Sequence, residues 1–149
     1  MNYNKTLAIS VLTVIIVAFL FISGNSILTK SFLSIPAGNL ILWLGLIALQ
    51  ITNYSINKGF ESANSFLSNT IKLLSIGLLL LSILWFGIAY FISGDLGFNF
   101  NSNATSFAGS PEAGVLHWRI IYSLVISPVV LIIIYKIGSF IENRKHKTS

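Results

Sequence analysis

The sequence predicts an all-α integral membrane protein, a bundle of four transmembrane helices with both termini on the cytoplasmic side. Three observations lead there. The 149 residues are 54% hydrophobic and only 9% charged, against roughly 25% charged in a soluble domain. Mean hydropathy is +0.84, and the apolar residues fall in long blocks instead of the 3.6-residue stripes of a surface helix. The basic residues divide unequally between the two sets of block ends, as the positive-inside rule requires.

Crossing a hydrocarbon core of about 30 Å takes about 20 apolar residues in a helix, and four blocks meet that length. Span 1 is read at about 5–23, ended by Gly24-Asn25-Ser26. A cleaved signal peptide is the competing reading of this block. Only Lys5 precedes the apolar run, and Phe21-Ile22-Ser23 makes a poor cleavage site, so the block is read as a retained span. Span 2, about 35–53, opens near Pro36, where a missing N–H does no harm, and is the weakest because of Asn39, Gln50 and Asn53. Span 3, about 70–93, is the most apolar, with four leucines at 78–81. Span 4, about 112–138, starts at Ser110-Pro111-Glu112, which supply an N-cap, a first-position proline and a first-turn acid.

Between spans 2 and 3, Phe60, Ala63, Phe66 or Leu67, and Ile71 recur near helical spacing, so span 3 is expected to begin as an amphipathic turn on the membrane surface. The stretch 94–110, rich in Gly, Asn and Ser, reads as an extramembrane loop. With both termini inside, Lys5, Lys58, Lys72, Lys136, Arg144, Lys145 and Lys147 lie inside, and only Lys30 and Arg119 outside.

Composition also excludes. Without cysteine there are no disulfides, thiolate metal sites or thiol nucleophiles. The net charge of +5 sits mostly at membrane edges, so no nucleic-acid surface is expected. The four acids, Glu61, Asp95, Glu112 and Glu142, fall in loops or at helix ends, which disfavours a proton-coupled carrier with a buried carboxylate. No cofactor or metal site is expected.

Four residues are candidate functional elements. Arg119 lies within span 4, about 12 Å along the helix from Pro111 at 1.5 Å per residue. Its side chain leans toward the helix N-terminus and can snorkel to the outer headgroups, with Glu112 two turns earlier on the same face. The alternative is an anion or substrate contact inside the bundle. His117 stands beside Trp118, and interfacial packing is the plain reading. The other histidine, His146, is roughly 40 Å away along one helix, too far for a shared metal or haem. Pro128 frees the Leu124 carbonyl, so span 4 is expected to bend there, as a fixed shape or as a moving gate.

Small residues mark expected packing strips: Ser123 with Ser127 on span 4, Gly45 with Ala48 on span 2, and Ser75, Gly77, Ser82 and Gly87 on span 3. Thr6, Ser10 and Thr13 line one face of span 1. Asn103-Ala104-Thr105 is a glycosylation sequon, meaningful in a eukaryotic source. The basic tail 143–147 serves topology or binds anionic lipid.

Phe66, Asn69, Leu73, Ile76 and Gly77 form a pattern that resembles the start of the third helix in a family of small four-span bacterial membrane proteins without assigned function. The resemblance covers about twenty residues and takes a one-residue gap near Phe66. The basic tail departs from that family's acidic ending. It implies a bacterial inner membrane and no activity; Ile, Asn, Lys and Ser usage also suits an AT-rich bacterium.

The expected function is non-enzymatic: an accessory, immunity or assembly subunit whose partners are the lipid bilayer and another membrane protein or a second copy of itself. The alternative is a small homo-oligomeric channel or carrier using Arg119 and the Pro128 kink.

Overall fold

A computed structural model describes residues 2–32, 35–60, 66–93 and 111–145. The elements are α1 (Tyr3–Ile22), a 3₁₀ turn (Ser26–Thr29), a two-residue antiparallel pair β1 (Ser31–Phe32) and β2 (Ile35–Pro36), α2 (Ala37–Ile56), a 3₁₀ turn (Lys58–Phe60), α3 (Phe66–Ile83), α4 (Trp85–Ser93) and α5 (Pro111–Lys145). Four helices among the described residues are long and apolar enough to cross a membrane: Tyr3–Ile22, Ala37–Ile56, Phe66–Ile83 and the Gly114–Ile141 part of α5. The expected amphipathic turn before span 3, the loop 94–110 with its sequon and Ser110, and the end of the tail with His146 lie wholly or partly outside the described residues.

Local chemistry sets the helix boundaries. Asn2 caps α1 by accepting from the Lys5 amide at 3.4 Å. Gly24, at φ +58, turns the chain after α1 in the left-handed region open to glycine. Pro36 stands at the N-cap of α2 instead of inside its first turn, and the Ala37 amide donates to the Lys30 carbonyl at 2.7 Å, closing the β1–β2 hairpin.

The largest departure from the sequence expectation is in span 3, which is two helices instead of one. The α-helix stops at Ile83 and resumes at Trp85. Backbone bonds continue around Leu84, whose amide donates to the Leu80 carbonyl at 2.9 Å and whose carbonyl accepts from Ile88 at 3.1 Å. The Ile83 carbonyl, which a regular helix gives to the Gly87 amide, accepts instead from Trp43 Nε1 at 3.2 Å. A side chain inserted into the ladder, next to a glycine, is a recognised cause of a helix break.

Packing follows seven-residue seams, the spacing that keeps one face of a helix on its partner. On α1, Tyr3, Ser10 and Val17 meet Gly59, Thr52 and Gly45 of the antiparallel α2 segment, one layer every seven residues on both sides. A Cβ on Gly59 would lie 2.7 Å from the Tyr3 hydroxyl. Thr52 Oγ1 donates to Ser10 Oγ at 2.9 Å. A Cβ on Gly45 would lie 2.7 Å from Val17 Cγ1, so glycine sets how closely the helices approach.

On α3, Ser68, Ser75 and Ser82 make a second heptad row, all buried, and Asn53 of α2 donates to Ser75 Oγ at 3.2 Å. The expected strip on span 3 therefore divides. Ser75 and Ser82 face the bundle, whereas a Cβ on Gly77 or Gly87 would meet nothing within 4 Å. Gly77 is two residues from Ser75, about 200° around the helix, so the two cannot share a face.

Two apolar clusters fill the rest. One joins Leu46, Trp85, Ala89, Ile121 and Leu124; the other joins Ile71, Leu131 and Tyr135. A Cβ on Gly138 would collide with Leu67 of α3, a close approach that the sequence reading passed over. These contacts fix the direction of each helix. The start of α1 meets the end of α2, Trp43 near the start of α2 meets the end of α3, and Leu67 near the start of α3 meets the end of α5. The helices alternate, which gathers Lys5, Lys58, Lys72, Lys136 and Arg144 toward one end of the bundle and Lys30 and Arg119 toward the other.

Candidate functional site

Pro128 is fully buried in α5, and its ring supplies no amide for the Leu124 carbonyl four residues earlier. The structure provides a substitute donor. Gln50 of α2 is 1% exposed, and its Nε2 donates to the Leu124 carbonyl at 2.8 Å. A bare carbonyl in an apolar interior is costly, so this bond ties the proline of one span to the glutamine of another. Gln50, which weakened span 2 as a hydropathy signal, is thus a structural partner that the sequence reading did not assign. Helix α5 is continuous from Pro111 to Lys145.

One helical turn further along α2, the polar face continues. Asn57 Nδ2 donates to the Asn53 carbonyl at 3.0 Å, and Asn53 reaches Ser75 as described. Gln50, Asn53 and Asn57 are spaced i, i+3 and i+7, one stripe of a helix. Among the described residues the buried polar side chains are Ser10, Asn39, Gln50, Asn53, Ser55, Asn57, Ser68, Ser75, Ser82 and His117, with no acid, lysine or arginine among them. Such a core can orient and join helices by hydrogen bonds.

The opposite end is aromatic. His117 is buried with its ring centroid 4.9 Å from that of Trp85 and 5.8 Å from that of Trp118, the latter edge-on. Trp118 stacks on Tyr122 at 5.7 Å, one helical turn away. The sequence reading paired His117 with Trp118 only; Trp85 is 32 residues distant and reaches His117 because α4 packs against the first turns of α5. The three tryptophans, Trp43, Trp85 and Trp118, all lie in this half of the bundle. No cluster of three metal-ligating side chains occurs among the described residues.

Arg119 and Glu112 are both exposed on α5. Arg119 therefore stands on the outside of the bundle, not within it, and the Arg119 carbonyl accepts from Ser123 Oγ at 2.8 Å. That bond spends the Ser123 hydroxyl on its own helix, and Ser123 is exposed. Ser127 is half-buried and lines a groove of about 260 Å³ between α3 and α5, with Leu74, Leu78, Ile126, Val130 and Leu131. The two serines thus differ in environment, Ser127 at a helix junction and Ser123 on the outer surface.

No protein-family model, curated protein or solved structure matches this chain.

Proposed function

We propose that this chain is a four-span membrane protein with cytoplasmic termini that acts through helix–helix contacts, as an accessory, immunity or assembly subunit, and performs no catalysis. One observation carries the reading. Helix α1 is a 20-residue apolar span whose sole buried residue is Ser10 and whose main packing partner among the described residues is α2. Ile9, Leu12, Ile16 and Phe19 on its remaining faces are exposed. The core hydrogen bonds, by contrast, join the chain's own helices. A span held chiefly by one neighbour, with apolar residues exposed on its other faces, suits insertion beside a partner helix. The bias of basic residues supports the orientation, and the resemblance around Phe66 to Gly77 supports a bacterial inner membrane.

A pull-down in mild detergent at native expression, with mass spectrometry and light scattering on the eluate, tests the reading. A stoichiometric partner, lost when Ile16→Trp is introduced on α1, is the expected result. A lone chain that behaves identically with and without Ile16→Trp refutes it.

The exposure of Arg119 favours a second reading, a homo-oligomeric channel or carrier in which Arg119 of neighbouring copies faces a shared path. A discrete homo-oligomer with solute flux in liposomes, abolished by Arg119→Ala, would put this reading first. Absence of flux across many solutes excludes it.

A further inference from the structure

The groove beside Pro128 leads along α5 to a cation, and this alignment points to a ligand. Its walls are Leu74 and Leu78 of α3 and Ile126, Ser127, Val130 and Leu131 of α5. Below it, Ile134, Ile137 and Ile141 are exposed and carry the apolar surface toward the end of the span at Ile141. Three residues later comes Arg144, exposed, with its Cζ 4.5 Å from the centroid of the Phe140 ring. Ile126 and Arg144 are 18 residues apart, five whole turns, and so lie on one face of the helix.

We propose that this strip seats one anionic phospholipid of the cytoplasmic leaflet, with its phosphate at Arg144 and a tail in the groove. The proposal rests on the membrane reading and orientation given above. The lengths agree. From the groove centre near Pro128 to Arg144 is about 24 Å at 1.5 Å per residue. Half the hydrocarbon core is about 15 Å, and the headgroup zone adds about 5–7 Å. The groove therefore lies at the midplane, where tails end, and Arg144 at the depth of the phosphate. Charge favours an anionic headgroup, because Lys136 and Arg144 are both exposed at this end and the sequence here sets Lys136, Arg144, Lys145 and Lys147 against one acid, Glu142. Arginine also matches phosphate by paired N–H donors.

The test is lipid titration of the purified full chain in neutral detergent, read by native mass spectrometry with phosphatidylglycerol or phosphatidylcholine. Phosphatidylglycerol is expected to bind more tightly. Arg144→Gln should weaken it roughly fivefold, the factor that about 1 kcal/mol per basic residue represents, and leave phosphatidylcholine unchanged. Ser127→Leu, which fills the groove, should weaken both lipids. Equal binding of the two lipids, insensitivity to Arg144→Gln, or a protein dimer that excludes lipid overturns the proposal. Extraction of membranes with alkaline carbonate separates the two levels of failure. If the chain is released, the membrane reading falls together with the lipid seat; if it stays and the lipid contrast is missing, the seat alone falls.

Discussion

Replacing Gln50 by methionine isolates the bond between spans 2 and 4. Methionine keeps the length and most of the volume of glutamine, so packing changes little. It removes the Nε2 donor that sits 2.8 Å from the Leu124 carbonyl. Pro128 provides no amide to replace it, so the carbonyl is left buried and bare. Interhelical hydrogen bonds in membranes average about 0.6 kcal/mol and reach about 1.7, and an orphaned buried acceptor costs about 1–3 kcal/mol. The expected loss is about 1–2 kcal/mol. In a Pro128→Ala background, residue 128 regains its amide, the Leu124 carbonyl recovers its helical donor, and Gln50→Met should cost less than about 0.5 kcal/mol. Gln50 Oε1 has no hydrogen-bond partner among the described residues. Its removal contributes equally in both backgrounds and cancels in the double-mutant cycle. The assay is reversible unfolding by SDS in mixed micelles, followed by tryptophan fluorescence and helical circular dichroism. A coupling energy within about 0.5 kcal/mol of zero, the scatter of independent sites, would refute the assignment of Gln50 as the proline's partner.

The other predictions concern contacts and orientation. Gly45→Ala should destabilise by about 1–3 kcal/mol, because β-branched Val17 cannot swing away from a Cβ placed 2.7 Å from its Cγ1; Val17→Ala should rescue it in the same unfolding assay, and failure to rescue would place the strain elsewhere. Gly59→Ala combines a φ of +65 with a Cβ 2.7 Å from the Tyr3 hydroxyl and 3.1 Å from the Tyr54 ring. It should cost at least about 1 kcal/mol, with Tyr3→Phe recovering only part of the loss, since backbone strain remains. The chain has no cysteine, so single cysteines at Lys30 and Lys58 report sidedness directly. In intact cells a membrane-impermeant maleimide should label Lys30→Cys and spare Lys58→Cys; the reverse pattern would invert the topology.

The number and approximate place of the four helices long and apolar enough to cross a membrane were legible because hydropathy is a local property of each residue. Boundaries shifted by a few residues, as at α2, where a hairpin and Pro36 delay the start of the helix to Ala37. The spacing argument gave Gly45 as a close-packing position, and the structure sets it against Val17. The same argument put Gly77 and Gly87 in one strip with Ser75 and Ser82, and the helix turns them apart. A strip drawn without counting degrees mixes faces. The row Ser68, Ser75 and Ser82 was available in the sequence at strict seven-residue spacing, as was the stripe Gln50, Asn53 and Asn57.

What the sequence by itself determined is an apolar chain with four helices long enough to cross a membrane, no cysteine chemistry, acids kept out of the apolar centres and a carbonyl freed by Pro128. Hydropathy, residue inventory and the geometry of one helix suffice for each. Only the tertiary structure decided that Gln50, 74 residues upstream, answers that carbonyl, that Trp43 interrupts span 3 at Ile83, and that Trp85 lies on His117 while Arg119 stays outside. The reason is that a side chain's partner depends on how neighbouring helices are rotated and set in depth. That arrangement is fixed by all the packed faces together, and no single stretch of sequence contains it.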